Sequence, residues 1–244
     1  MEVIEVIKQC SADGNVLRLP KIELSREDYL AVKKAVEKYG GKWKGGKTFG
    51  FVFADRDAAD VIDSMVNGFG DIKKDFQFFA TPSDVADLMV AKLEIQPYEK
   101  ILEPSAGNGA LINAVLRLHS DITIDCYELN PLNRKVLEKM VNVNVIGDDF
   151  TKRLDNEEYD VIIANPPFSK NQDIIHLMKM WNNLRYGGRI ACITSTHWMF
   201  ANDTKSTEFR DWIVGKCTFQ HEFPNGTFKE SGTDIATILL ILEK

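Results

Sequence analysis

The stretch Val161-Ile162-Ile163-Ala164-Asn165-Pro166-Pro167-Phe168 carries the first information about both fold and site. Its first four residues form an unbroken apolar run, the pattern of a strand buried on both faces in a parallel sheet. Pro166 and Pro167 fix their own φ and have no N–H to donate, so the strand ends there. The result is a rigid bend at the carboxyl end of a central strand, where open α/β sheets place their ligands. The Asn165 side-chain oxygen and the Pro166 carbonyl are acceptors, and Phe168 adds a flat apolar face. A planar ligand with an NH2 group suits that set: the amino group donates two hydrogen bonds while the ring stacks. An ordinary Asn-Pro turn would use the same residues, so the rest of the chain has to decide.

Around this strand, apolar strands alternate with helical segments. Lys100–Glu103, Ile122–Tyr127, Val143–Ile146 and Arg189–Thr194 read as further strands, and Thr218–Glu222 and Ile235–Leu242 close the sheet. Helices are expected from about Ala110 to Leu118, after Asn130-Pro131, and from about Asn171 to Leu184. Thr81 is expected to cap another helix with Pro82 at its first position. This alternation predicts a doubly wound, mostly parallel seven-stranded Rossmann-like sheet over residues 76–244.

Acidic residues sit at three consecutive strand tips: Glu103, Glu128 and Asp149. The first opens a glycine turn, Glu103-Pro104-Ser105-Ala106-Gly107-Asn108-Gly109, in which Gly107 and Gly109 let the backbone approach a ligand. Its spacing is neither G-x-G-x-x-G nor a P-loop, which disfavours a dinucleotide or nucleoside triphosphate. A carboxylate at the second tip can accept both hydroxyls of a ribose. One at the third can accept from an adenine amino group.

Residues 1–75 read as a separate small α+β module. Val3–Ile7 and Val16–Leu19 are expected to pair as strands around Asp13-Gly14-Asn15. Ser25 caps a helix with Leu30, Val32, Ala35, Val36 and Tyr39 on its apolar face. A strand over Thr48–Ala54 and a helix from about Asp57 to Val66, stopping at Asn67-Gly68, follow. Six lysines and one acid, Glu37, fall between Lys33 and Lys47, with Trp43, Phe49 and Phe51 nearby. Charge for phosphates and flat faces for bases suit a nucleic-acid surface, with contacts through Lys42, Trp43, Lys44 and Lys47. The aromatics are equally suited to a small core beneath a solvated lysine face.

Composition bounds these readings. The 244 residues are 44% hydrophobic and 27% charged, ordinary for a globular chain. No apolar run reaches the ~18 residues of a membrane span. Cys10, Cys126, Cys192 and Cys217 are far apart, so neither a disulfide framework nor a metal site is expected, and a cytoplasmic location fits. The net charge of −6 argues mildly against nucleic acid as a whole-chain property.

From about Phe76 to Lys244 the motifs resemble those of class I S-adenosylmethionine-dependent methyltransferases, in particular the DNA adenine-N6 amino-methyltransferases. Phe79-Ala80-Thr81-Pro82 is similar to their motif before the first strand. Glu103 to Gly109 is similar to the first cofactor motif, Asp149-Phe150 to the third-strand motif, and Asn165-Pro166-Pro167-Phe168 to the catalytic tetrapeptide. Gly226 to Asp234 resembles the hairpin beside the target-base pocket. The resemblance implies that Thr81 and Glu103, with the Pro104-Ser105 turn and Gly107 and Gly109, hold the methionine end of the cofactor. It implies Glu128 for the ribose, Asp149 and Phe150 for the adenine, and Asn165, Pro166 and Phe168 for a flipped target base in DNA. The family usually carries a large target-recognition domain after its last strand, whereas here Lys244 follows Leu242 by two residues. Sequence choice is then expected to be relaxed, or to come from residues 1–75 or a protein partner. Related tetrapeptides occur in ribosomal RNA base methyltransferases and release-factor glutamine methyltransferases, and a non-catalytic cofactor-binding regulator is a further alternative.

Overall fold

A computed structural model describes residues 2–54, 56–66, 81–228 and 235–244. The chain divides into two compact units, Met1–Phe76 and Gln77–Lys244. Residues 76–80, the Asn67-Gly68 helix stop and residues 229–234 of the expected target-base hairpin lie outside the described residues.

The first unit contains α1 (Val3–Ile7), β1 (Ser11–Asp13), β2 (Val16–Arg18), α2 (Arg26–Lys38), β3 (Lys42–Lys44), β4 (Gly50–Val52) and α3 (Ala58–Val66). Its antiparallel sheet runs β1-β2-β4-β3. The turn at Gly14-Asn15 is where the sequence puts it, but β1 rather than Val3–Ile7 is the partner of β2. Val3–Ile7 is a helix, a correction to the strand reading. Val6 and Ile7 are fully buried and Val3 partly so, an i, i+3, i+4 spacing, and packing against α2 and α3 overrides their β-branched preference. Ser25 caps α2 by accepting from Asp28 N at 3.0 Å. Val32, Val36 and Tyr39 form its buried face, while Leu30 is off that face and half exposed.

The second unit is built on one seven-stranded sheet. Its elements are α4 (Ser83–Leu93), β5 (Ile101–Glu103), α5 (Ala110–Leu118), β6 (Ile124–Tyr127), α6 (Pro131–Leu137), β7 (Val143–Gly147), β8 (Tyr159–Ala164), α7 (Gln172–Asn183), β9 (Leu184–Ser195), α8 (His197–Phe200), α9 (Thr204–Ile213), β10 (Cys217–Phe223) and β11 (Thr237–Glu243). Strand order is β10-β11-β9-β8-β5-β6-β7. Strands β5 to β9 are mutually parallel, and β11 runs antiparallel to both β9 and β10. The expected mostly parallel α/β sheet is therefore present. Every residue of β8 is buried, as a strand covered on both faces must be. Burying each of its Val and Ile side chains contributes about 1.5–3 kcal/mol. Order reverses between β8 and β5, and the carboxyl ends beside that switch point carry the residues of interest.

Candidate active site

The strand β8 delivers Asn165 to the carboxyl edge of the sheet, and three contacts hold the bend that follows. Asn165 Nδ2 donates to Thr81 Oγ1 at 3.1 Å. Thr81 is thus not the helix cap expected from sequence. Pro82 occupies that position, with no side-chain cap, because the Thr81 hydroxyl is turned to Asn165. Behind the bend, buried Asp173 in the first turn of α7 accepts from both Ser195 N and Ser195 Oγ at 2.8 Å. This clamps the bend's exit to the end of β9. Burial, partly offset by the Ser195 bonds, leaves the Asp173 carboxyl above its usual range. The third contact runs from Asn171 Nδ2 to Asp203 Oδ1 at 2.8 Å. It spans two consecutive left-handed residues, Lys170 (φ 57) and Asn171 (φ 62), a conformation L side chains adopt at a cost. Sequence reasoning missed Asn171, Asp173 and Asp203. The one available signal was an acid in the first turn of a predicted helix.

Pro166 is buried and Pro167 half-buried. Phe168 is only 7% exposed and packs in the apolar cluster that includes Val85, Met89, Ile163 and Phe228. The flat face expected from sequence thus belongs to a ring that faces the core and exposes only a small margin.

The glycine turn follows β5. Gly107 (φ 56) and Gly109 (φ 84) both take left-handed backbone that a side chain would strain. A Cβ at Gly109 would also lie a tight 3.2 Å from Leu137 Cδ2, which would have to give by a few tenths of an ångström. Glu103 is fully buried beneath this turn. Its Oε1 accepts from Ser105 N at 3.2 Å, and its Oε2 has no hydrogen-bond partner. Desolvation, with the Glu128 charge nearby, pushes its carboxyl up to about 8 despite the Ser105 bonds. An orphaned, fully buried carboxylate oxygen demands a donor, and a charged one most of all.

Glu128, at the tip of β6, is buried too. Its Oε2 accepts from Gly107 N at 2.6 Å, and its Oε1 from Asn130 N at 2.8 Å and Asn133 Nδ2 at 3.3 Å. Burial raises its carboxyl above the ordinary range. Three donors on about four lone-pair sites leave room for one more without rearrangement. Asp149, at the tip of β7, is partly exposed. Its Oδ1 caps the short turn that follows, taking Thr151 N at 2.9 Å and Thr151 Oγ1 at 2.6 Å. Burial would raise its carboxyl, but the Thr151 bonds and the Lys152 charge outweigh it and the net shift is downward. Phe150 is fully buried, in edge contact with Tyr127 at 5.7 Å between ring centroids. The structure thus groups Gly107 with Glu128, and Asn165 with Thr81.

The donor set fits S-adenosylmethionine on this chain's own features. Glu103 Oε2, fully buried and without a hydrogen-bond partner, would accept from a cationic donor such as the methionine ammonium. Burial pushes the Cys126 thiol up to about 12 and holds Cys192 well above its ordinary value. Among the described residues no cluster suits a metal ion and no helix is long and apolar enough to cross a membrane.

Residues 79–209 match the family described as methyltransferase small domain. Type II methyltransferase M.HincII of Haemophilus influenzae is 30% identical over 104 residues, 42% of this chain and 19% of that protein. Type II methyltransferase M.AccI of Acinetobacter calcoaceticus is 23% identical over 201 residues, 68% of this chain and 37% of that protein. Release factor glutamine methyltransferase of Clostridium acetobutylicum is 23% identical over 103 residues, 38% of this chain and 36% of that protein. The chain thus spans well under half the length of these relatives. Among solved structures, the type I restriction-modification methyltransferase subunit of Streptococcus thermophilus superposes with a TM-score of 0.57 at 20% identity. It covers 68% of this chain and 45% of that one, a likeness of fold. With more than half of its length matched, the chain belongs to the methyltransferase small domain family, and its methyl donor is S-adenosylmethionine.

Proposed function

We propose that the chain methylates the exocyclic N6 amino group of adenine in DNA, with the target base flipped out of the helix. The observation that carries this reading is the Asn165–Thr81 hydrogen bond. Thr81 accepts from the Asn165 NH2 and so orients the amide at the carboxyl end of β8. Asn165 Oδ1 and the Pro166 carbonyl then accept the two hydrogens of a target amino group.

An adenine N6 lone pair is delocalised into the ring and is a poor nucleophile. Two acceptors at its hydrogens favour a tetrahedral nitrogen and stabilise the positive charge that develops on it. S-adenosylmethionine supplies an electrophilic sulfonium methyl. The chain's own residues supply position: Glu103 and the glycine turn hold the methionine end, Glu128 one ribose hydroxyl, and Asp149 Oδ2 with Phe150 the adenine. The exposed margin of the Phe168 ring borders the target base. A base inside a duplex cannot reach this bend, so flipping is part of the proposal. The type II methyltransferase relatives support DNA as the substrate.

A glutamine side chain also presents an amide NH2, and the release-factor relative gives that second reading a specific basis. Incubation with labelled cofactor and separate DNA, RNA and protein pools, followed by nucleoside and peptide analysis, decides between them. Label recovered as N6-methyladenosine from RNA, or as N-methylglutamine, overturns the DNA reading.

A further inference from the structure

We propose that the tip of the β3–β4 hairpin in the first unit is a stacking platform for an unpaired nucleobase, with Phe49 as the platform and Lys44 and Lys47 meeting the flanking phosphates. The class of ligand rests on the nucleic-acid reading above. The platform itself is argued from residues remote in sequence from the tetrapeptide.

Sequence alternation places Phe49 on the same side as Phe51, inside the module. The structure does otherwise. Phe51 is fully buried, and Trp43, its direct cross-strand partner, is half-buried against it with ring centroids 5.0 Å apart. Phe49 lies outside the strand at φ 37 and is 66% exposed. A bulky residue at positive φ is strained and persists only where its surroundings impose it. Here Arg18, paired to Asp13, donates to the Thr48 carbonyl and pins the turn. The Trp43 and Phe49 rings meet edge-on with centroids 5.3 Å apart, and Tyr29 meets Trp43 in the same way at 6.5 Å. The fold therefore holds an aromatic ring outward against both hydrophobicity and backbone preference.

The surroundings select the occupant. Residues 42–49 carry three lysines and no acid, all three lysines exposed. Gly45 and Gly46 have open space where a side chain would sit, so a polymer backbone can approach the tip closely. Strand alternation turns Lys42 and Lys44 to the face opposite Trp43. Trp43 is thus the support and Phe49 the contact, a reassignment of the aromatic expected to meet nucleic acid. A flat face beside positive charge is what unpaired, sequence-tolerant bases require.

The test is fluorescence anisotropy on the full chain with a mixed-sequence single-stranded oligonucleotide and its duplex, beside methyl transfer at saturating DNA. Phe49→Ala should weaken single-strand binding about 10-fold or more, the scale of one lost base stack, and Phe49→Trp should restore it. Lys44→Ala with Lys47→Ala should flatten the salt dependence by about 0.7 log units per lost phosphate contact. Phe49→Gly relieves the positive φ, so it should raise Tm while weakening binding, a pairing a purely structural residue would not give. Parental binding by Phe49→Ala overturns the platform while leaving the methyltransferase reading intact. If the parental chain binds no oligonucleotide but labels a protein pool, the nucleic-acid reading fails and the platform falls with it.

Discussion

Asn165 Nδ2 donates to Thr81 Oγ1 at 3.1 Å across 84 residues of chain, so the bend after β8 is oriented by a residue that precedes the sheet. Resemblance alone gives Thr81 to the cofactor, and the hydrogen bond connects it to Asn165, the residue proposed to meet the substrate. Thr81→Val keeps the shape and removes the acceptor. The expected outcome is kcat down about 5-fold, consistent with one net hydrogen bond of about 1 kcal/mol, with cofactor Kd nearly unchanged and Thr81→Ser restoring the rate. Asn165→Ala should lower single-turnover methyl transfer roughly 100-fold, by analogy with losing one preorganised partner of a developing charge. A raised cofactor Kd with parental kcat in Thr81→Val would return Thr81 to the cofactor.

Phe168 has two demands on it. A ring 7% exposed within the core cluster is structural first, and its truncation leaves a cavity. Phe168→Ala should cost about 3–4 kcal/mol in denaturant unfolding, before any loss of base capture is counted. A loss below about 1 kcal/mol would show that the ring contributes little to the core.

The contrast between these residues shows where sequence reading stops. The apolar runs ending in Glu103 and Asn165 were legible because a strand buried on both faces has almost no freedom in composition, and β6 and β7, which lead to Glu128 and Asp149, by their short β-branched stretches. The antiparallel pair at the sheet edge was legible for the same reason in β11. What those tips do with their polar atoms was not, since side-chain partners come from residues far away in sequence. Glu103 and Ser105 are neighbours, but Gly107–Glu128, Asp173–Ser195 and Asn171–Asp203 are separated by 21 to 32 residues. Helices α8 and α9 went unseen because their apolar faces are short and interrupted by polar residues. Val3–Ile7 was misread because five β-branched and acidic residues fit either period until packing chooses one.

Glu128 is held by three donors of its own chain, and this constrains what it offers a ligand. Glu128→Gln keeps the volume but replaces one acceptor oxygen with a donor that opposes Gly107 N or Asn130 N. Cofactor affinity should fall by about 2–3 kcal/mol, through the lost charged acceptor and a loosened glycine turn. Asn133→Ala removes the longest of the three contacts and should change affinity less than fivefold. Calorimetric titration measures both, and an unchanged Kd in Glu128→Gln would remove the residue from the ribose site.

Glu103 makes the site sensitive to pH. Burial holds its carboxyl near 8 in the ligand-free chain against an ordinary value of 4.5, so between those pH values the folded state carries a proton that the unfolded chain has lost. The resulting stability is fully present below pH 4.5 and disappears as pH rises through 8. The Tm of the parental chain should therefore fall from pH 5 to 8 more steeply than that of Glu103→Gln, which has no proton to lose. A cationic donor brought to Oε2 reverses the preference, because an opposite charge at hydrogen-bond distance favours the ionised form. Cofactor binding should then release a proton around neutral pH, and affinity should climb with pH until the ligand-free carboxyl is itself ionised, near 8. Titration calorimetry in two buffers of different ionisation enthalpy reads that proton directly. Equal apparent enthalpies in the two buffers at pH 7, with a Tm slope matching Glu103→Gln, would mean that Glu103 is already ionised and that its orphaned oxygen does not await a cation.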